Sequence, residues 1–170
     1  MTNDRWKHTF LQPSDLPKKA QRFIEMMGID MSYLRLMILT PSPDGKFFKS
    51  FDIDESGKSS CPIAAIADLS EIYFFSDSIK VGTAIHELTH IYLTQLLYKG
   101  IKYDLRNMGE KFIKQNGTSA LTNYAQISLL ENAWEEVICE IVATYGRRGQ
   151  FNKIKELFNQ QPQQTKKGGI

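Results

Sequence analysis

The chain of 170 residues has the composition of an ordinary globular protein, with 42% hydrophobic and 24% charged residues. Its net charge of +2 is too small to indicate binding to nucleic acid or to a membrane surface. The sequence contains no stretch apolar enough for a transmembrane helix and no apolar segment of a signal peptide near the N-terminus. We therefore expect a cytoplasmic protein with one domain over residues 1–160, a disordered tail over 161–170, and reduced cysteines at Cys61 and Cys139.

The first half of the chain predicts a helix and a small sheet. Ser14 is expected to cap a helix that ends at Gly28, because glycine suits the left-handed conformation that follows a last helical turn. Apolar or alternating segments predict three strands, at 33–39, 47–53 and 71–75. Residues 62–69 fit either a strand or a short helix. The strand at 71–75 is expected either inside the sheet or at its edge, where it could pair with the backbone of a bound peptide.

The second half predicts mainly helices, so the expected fold class is α+β. One predicted helix begins near residues 76–78 and ends before Gly100. Three further helices are predicted at 105–115, 129–145 and 151–158. Residues 118–128, between two of these helices, are expected to form a loop.

The first of these helices carries an H-E-x-x-H motif, His86-Glu87-Leu88-Thr89-His90. Its two histidines, of only three in the chain, lie four residues apart, so one helix face can present both to one zinc ion. Glu87 is rotated by about 100° from His86, where it can act on a metal-bound water rather than bind the metal. The flanking residues are apolar nearly all round the helix, and two buried histidines need polar partners. The motif therefore predicts one Zn²⁺ per chain.

A catalytic zinc ion needs three protein ligands and one open position. The helix predicted at 129–145 offers four candidates for the third ligand, Glu131, Glu135, Glu136 and Glu140. With Trp134 at the centre of the apolar face, Glu131 and Glu135 border the core, whereas Glu136 and Glu140 point to expected solvent. One of the first pair is expected to bind the metal and the other to hold a ligating histidine by its free N–H. Glu131 has an alternative role, because Ser128 and Glu131 also fit a capping box.

Together with residues downstream, the motif resembles the zincin metallopeptidases of the gluzincin kind, specifically the catalytic domain of anthrax lethal factor and its relatives. In that family a Ser/Asn-Tyr-small segment follows the motif, and a glutamate pair E-x-x-x-E begins seven residues after the tyrosine. This chain has Asn123-Tyr124-Ala125, Glu131 and Glu135 in the same spacing. The resemblance covers roughly residues 77–146, and the chain departs from the family pattern at 132–134.

The resemblance implies a zincin-like fold, with a small mixed sheet, an active-site helix and a following helix that carries the third metal ligand. It also implies that Glu131 is this ligand and that Glu135 contacts a metal ligand rather than the metal itself. Tyr124 is implied to donate a hydrogen bond to the oxyanion of the reaction. The motif and the resemblance lead to the hypothesis of a zinc-dependent metallopeptidase that cleaves peptide bonds in a protein or peptide substrate. Glu87 would take a proton from the attacking water and pass it to the leaving amine.

The sequence also fits two alternative functions. One is a phage-type regulatory peptidase, a class whose metal-binding motif also begins H-E-L-x-H and whose members cleave a repressor. The other is a zinc-binding regulatory or inhibitory protein with a zincin fold and little or no turnover. A fourth protein ligand, such as Cys61 or Cys139, would favour the second alternative, because structural zinc sites are usually closed by four protein ligands.

Overall fold

The computed structural model describes residues 6–41, 65–67, 70–75, 79–159 and 163–164. The strands are β1 (Trp6–Leu11), β2 (Arg35–Pro41), β3 (Ala65–Ala67), β4 (Glu71–Phe74), β5 (Ile101–Lys102) and β6 (Gln163–Gln164). The α-helices are α1 (Lys18–Met27), α2 (Val81–Tyr98), α3 (Leu105–Asn116), α4 (Asn123–Leu130), α5 (Trp134–Arg147) and α6 (Phe151–Phe158). The α+β class expected from the sequence is confirmed. None of the helices in these ranges is long and apolar enough to cross a lipid bilayer.

Four strands form one mixed sheet in the order β1-β2-β4-β3. β2 runs antiparallel to β1 and parallel to β4, and β3 runs antiparallel to β4. The strand predicted at 71–75 is therefore internal, and β3 is the outermost of the described strands on its side of the sheet. Leu36 and Ile38 of β2 lie opposite Ile72 and Phe74 of β4, and all four side chains are buried. This alternation places one face of the sheet against the helices.

Strand β1 is not among the predicted strands, because polar residues at 7–9 interrupt its apolar pattern. It forms through pairing with β2 along its whole length, from Trp6 opposite Pro41 to Leu11 opposite Leu36. In the segment predicted as a disordered tail, residues 163–164 form a strand paired with residues 101–102. The strand predicted at 47–53, the cap candidates at 76–78 and Cys61 lie outside the described residues.

Helix α1 begins at Lys18, later than the cap predicted at Ser14, because residues 13–15 form a separate 3₁₀ turn. In that turn the Asp15 carboxylate accepts a hydrogen bond of 2.8 Å from the Gln12 backbone N–H. Gly28 ends the helix with a φ of 64°, the left-handed conformation that the sequence predicts there.

The prediction of one helix over 129–145 is wrong, because two helices meet in this segment. Helix α4 begins after Thr122, whose hydroxyl accepts a hydrogen bond of 3.1 Å from the Ala125 N–H. It ends before Asn132, which adopts a left-handed φ of 55°, while the Ala133 N–H donates to the Ser128 carbonyl at 2.9 Å. This is the hydrogen bond of a Schellman motif, in which asparagine can replace the usual glycine. Ser128 thus lies inside α4 and does not form the capping box.

Helices α2 and α5 pack against each other at the centre of the molecule, and each buries nearly its whole circumference. Their close approach depends on Gly146, because a Cβ atom there would lie 2.4 Å from Cδ1 of the fully buried Ile85. This contact determines the spacing of the two helices that carry the candidate site.

We expect Gly146→Ala to destabilise the protein by about 1–3 kcal/mol, because the added methyl group has no space beside Ile85. Gly82→Ala is the matched control, since a Cβ atom at Gly82 approaches only the Arg147 side chain, at 3.9 Å. Urea unfolding followed by circular dichroism measures both variants. A Gly146→Ala variant as stable as Gly82→Ala would contradict this account of the packing.

Candidate metal centre

The residues of the motif meet three glutamates of the neighbouring helix. His86 and His90 lie on α2, one turn apart, with their ring centroids separated by 5.1 Å. Glu135, Glu136 and Glu140 lie on the side of α5 that faces these rings. Two long helices in direct contact, both packed in the core, therefore carry these residues.

One carboxylate joins the two histidines. Oε2 of Glu136 lies 3.0 Å from Nε2 of His86, and Oε1 of Glu136 lies 3.1 Å from Nε2 of His90. The two Nε2 atoms thus point towards the same group, and Glu136 is their common partner.

The other nitrogen of each histidine ring contacts a different carboxylate. Nδ1 of His86 lies 2.7 Å from Oε1 of Glu140, and Nδ1 of His90 lies 2.8 Å from Oε1 of Glu135. Glu140 is itself held by Thr122, whose hydroxyl donates to Oε2 at 2.6 Å. These contacts fix the orientation of both rings, as carboxylates behind metal-binding histidines do.

Contact with carboxylates on both sides determines the charges in the site. Burial lowers the pKa of His86, but hydrogen bonds to Glu136 and Glu140 outweigh it and raise this pKa to about 9. Burial also lowers the pKa of His90. Hydrogen bonds to the Cys139 thiol and to two carboxylates outweigh this effect and raise the pKa above its usual value. The same histidine contacts hold the pKa of Glu136 well below its usual range. The site is thus a cluster in which the positive charges of the two rings and the negative charges of the carboxylates offset each other.

Glu87 lies apart from this network although it is adjacent to His86 in sequence. Glu87 is only 9% exposed, and its carboxylate accepts a hydrogen bond from the backbone of Ala67 in strand β3. Burial raises the pKa of Glu87 above its usual value, and the positive charges of the two histidines offset part of this change. The Glu87 carboxyl group thus lies beside the histidines and next to strand β3.

Tyr124 approaches the site from helix α4. Its hydroxyl donates to Oε2 of Glu136 at 3.1 Å, and its ring centroid lies 6.0 Å from that of His86. Burial, together with the Glu136 charge, raises the pKa of Tyr124 to about 12, so the phenol keeps its proton at neutral pH. A protonated hydroxyl therefore lies at the edge of the site, in a position to donate a hydrogen bond.

A thiol completes the surroundings of the histidines. Cys139 is fully buried, and it offers a ligand atom that lies within 4.8 Å of those of His86 and His90. These three residues could hold a metal ion. Burial raises the pKa of the Cys139 thiol to about 12, so without a bound cation the sulfur is protonated. Cys139 forms no disulfide with another of the described residues.

The sequence-based choice among the glutamates needs correction. Glu136 and Glu140, expected to point to solvent, both contact His86, and the prediction of their exposure is wrong. Glu135 contacts His90, where a supporting carboxylate would lie. Glu131 is exposed at the end of α4 and contacts neither histidine. The break between α4 and α5 separates Glu131 from the helix that carries the other three glutamates.

Small residues on α5 explain why the predicted helix face was misplaced. Cys139 lies close to His86 and His90 of α2, and Gly146 lies against Ile85. Ala143 falls between them on the same side of α5, and all three are buried. Their small side chains let α2 approach closely, whereas Trp134, chosen as the centre of the apolar face, is only partly buried. Small apolar residues at these spacings are the signal that could have located the helix contact.

Comparison of the chain with models of protein families, with curated proteins and with solved structures found no significant match.

Proposed function

We propose that the protein is a zinc-dependent peptidase whose metal ligands are His86, His90 and Glu136. The observation that carries this proposal is the position of the Glu136 carboxylate, which contacts Nε2 of both motif histidines. The remaining ring nitrogens are already held by Glu140 and Glu135, so only the Nε2 atoms are directed towards a shared ligand. Glu136 therefore replaces Glu131 in the proposed ligand set.

The donor set fits zinc in type. Each Nε2 atom lies within 3.1 Å of a different oxygen of Glu136, so one carboxylate is within reach of both imidazoles. Two imidazoles and one carboxylate, with a fourth position left for water, form a donor set typical of catalytic zinc. The proposal also supplies a zincin-like interpretation of the fold, in which α2 is the active-site helix and α5 carries the third ligand.

The chain's own residues can perform peptide hydrolysis around this centre. When bound, zinc supplies a Lewis acid that polarises the scissile carbonyl and lowers the pKa of a water molecule. Glu87, raised in pKa by burial, accepts the proton of the attacking water and later donates it to the leaving amine. The Tyr124 hydroxyl, which donates its one proton to Glu136, would turn from Glu136 to donate it to the oxyanion that forms on the carbonyl.

The sheet offers a place for the substrate backbone. Among the described strands, β3 is the outer one on its side of the sheet, and it reaches the site at Ala67, which contacts Glu87. An extended peptide can add to an outer strand through main-chain hydrogen bonds. This placement would bring a peptide bond beside Glu87 and the histidines.

Zinc analysis and a cleavage assay together test the proposed function. Protein purified without added metal should carry about one zinc ion per chain, and the zinc-loaded protein should cleave members of a peptide library. A zinc chelator should stop cleavage, and an equimolar amount of zinc should restore it. A fully zinc-loaded protein that cleaves no peptide would overturn the peptidase proposal.

The position of Cys139 favours a second candidate, a regulatory protein with a closed zinc site. If the Cys139 sulfur bound the metal beside both histidines and Glu136, four protein ligands would leave no position for water. Cobalt(II) substitution distinguishes the two candidates, because a bound thiolate gives a sulfur-to-cobalt charge-transfer band in the near ultraviolet. A band that disappears in Cys139→Ser would favour the closed site, and its absence in the wild type would favour the peptidase.

A further inference from the structure

Helix α4 has an exposed apolar side. Tyr124, Ile127 and Leu130 are 42%, 50% and 85% exposed, although all three are large hydrophobic residues. They are spaced three residues apart, so they lie within about 120° of one another around the helix axis. Ala125 and Ser128 are buried on the side that faces the protein. We call the three exposed side chains the α4 ridge.

The concentration of these side chains on one short helix is unusual. Seven large hydrophobic residues are exposed in the described ranges, and three of them belong to this helix of eight residues. Single exposed apolar residues are normal on a protein surface, whereas contiguous ones tend to mark a binding surface. The other four, Phe10, Tyr33, Leu97 and Tyr98, lie on other elements or loops.

The α4 ridge begins at the candidate metal centre. Tyr124 contacts Glu136 through its hydroxyl and lies with its ring beside that of His86. From Tyr124 to Leu130 the helix rises by about 9 Å, the length of roughly three residues of an extended peptide. A peptide whose carbonyl group reaches His86 and Glu136 passes Tyr124 and can continue along the rest of the ridge.

We propose that the α4 ridge binds a large aliphatic or aromatic side chain of the substrate, two or three residues away from the scissile bond. This inference rests on the proposed peptidase function and names its substrate class: extended peptides with an apolar residue close to the cleavage site. Ile127 and Leu130 are then specificity-determining residues, while Tyr124 serves both the ridge and the reaction.

The test uses the full zinc-loaded chain and a decapeptide library in which one position is fixed as Leu or Ser and the others are mixed. Cleavage by the wild type is compared with that by the double variant Ile127→Ser/Leu130→Ser. Phe10→Ser is the matched control, because Phe10 is 63% exposed on β1, at the other edge of the sheet. The same library is applied to Glu87→Gln protein, with and without the two ridge substitutions, and bound peptides are measured by mass spectrometry.

We expect the wild type to prefer Leu over Ser at one position by at least ~10-fold, the effect of burying one such side chain. The double variant should lose this preference, and Phe10→Ser should keep it. If the double variant still cleaves peptides with the same preference for Leu over Ser, the ridge proposal is overturned and the proposed peptidase function is kept. In a different outcome, no peptide is cleaved, but the Glu87→Gln protein binds Leu-containing peptides and loses this binding with the two ridge substitutions. The ridge then binds an apolar peptide side chain, and the peptidase function falls.

Two further outcomes also overturn the ridge proposal. In the first, the zinc-loaded protein neither binds nor cleaves any library member, and then both proposals fall. In the second, sedimentation shows a wild-type dimer and a monomeric double variant whose peptide preference is unchanged. The ridge would in that case be a contact between two copies of the chain.

Discussion

Replacing Glu136 by alanine is expected to lower the zinc affinity by more than ~100-fold. Removing a residue that only hydrogen-bonds a metal ligand typically lowers the affinity by ~10–100-fold. The reason is that Glu136 is the only carboxylate among the described residues that contacts Nε2 of both histidines. Competition with a chromophoric zinc chelator measures this affinity, and circular dichroism checks that the variant remains folded.

Glu131→Ala is the matched control, because Glu131 is an exposed glutamate near the same segment and is separated from α5 by the helix break. It should bind zinc as tightly as the wild type. The opposite pattern, with zinc retained in Glu136→Ala and lost in Glu131→Ala, would restore the ligand implied by the family resemblance and contradict the proposed centre.

Replacing Glu87 by glutamine should lower kcat for peptide hydrolysis by ~10²–10⁴-fold, the usual contribution of a general acid–base. The amide has the shape of the carboxylate, and its oxygen can still accept the hydrogen bond from Ala67. It cannot, however, take a proton from water. Zinc content should therefore stay near that of the wild type while turnover is lost, as a parallel metal analysis and peptide assay would show.

Glu110→Gln makes the same chemical change on the exposed surface of α3, where Glu110 is paired with Arg106. It should leave both the zinc content and kcat unchanged. If Glu87→Gln kept full turnover, another group would have to move the proton. Loss of zinc together with turnover would instead assign Glu87 a role in holding the site together.

The motif and its helix could be predicted from sequence because both depend on local spacing. His86, Glu87 and His90 have their relative positions determined by one helical turn. The strong apolar pattern of 81–98 also gave nearly the correct helix end. The structure places the histidines together, as the spacing predicts.

The partners of the histidines could not be chosen correctly from the sequence, for two physical reasons. Helix α5 is apolar around most of its circumference, so its periodicity does not identify the side that faces α2. The helix break at Asn132 depends on a left-handed residue that is not glycine, a weaker signal. Strand β1 was missed because its stability comes from pairing with the distant β2 rather than from its own pattern.

The separation of the ligands along the chain has a mechanical consequence. His86 and Glu136 are 50 residues apart, and helices α3 and α4 lie between them. A zinc ion bound to both would act as a crosslink that closes this loop, which a chain-entropy model values at about 4 kcal/mol for a covalent link. Chelation of zinc should therefore make the loop, with the α4 ridge inside it, the first segment to be cut in limited proteolysis.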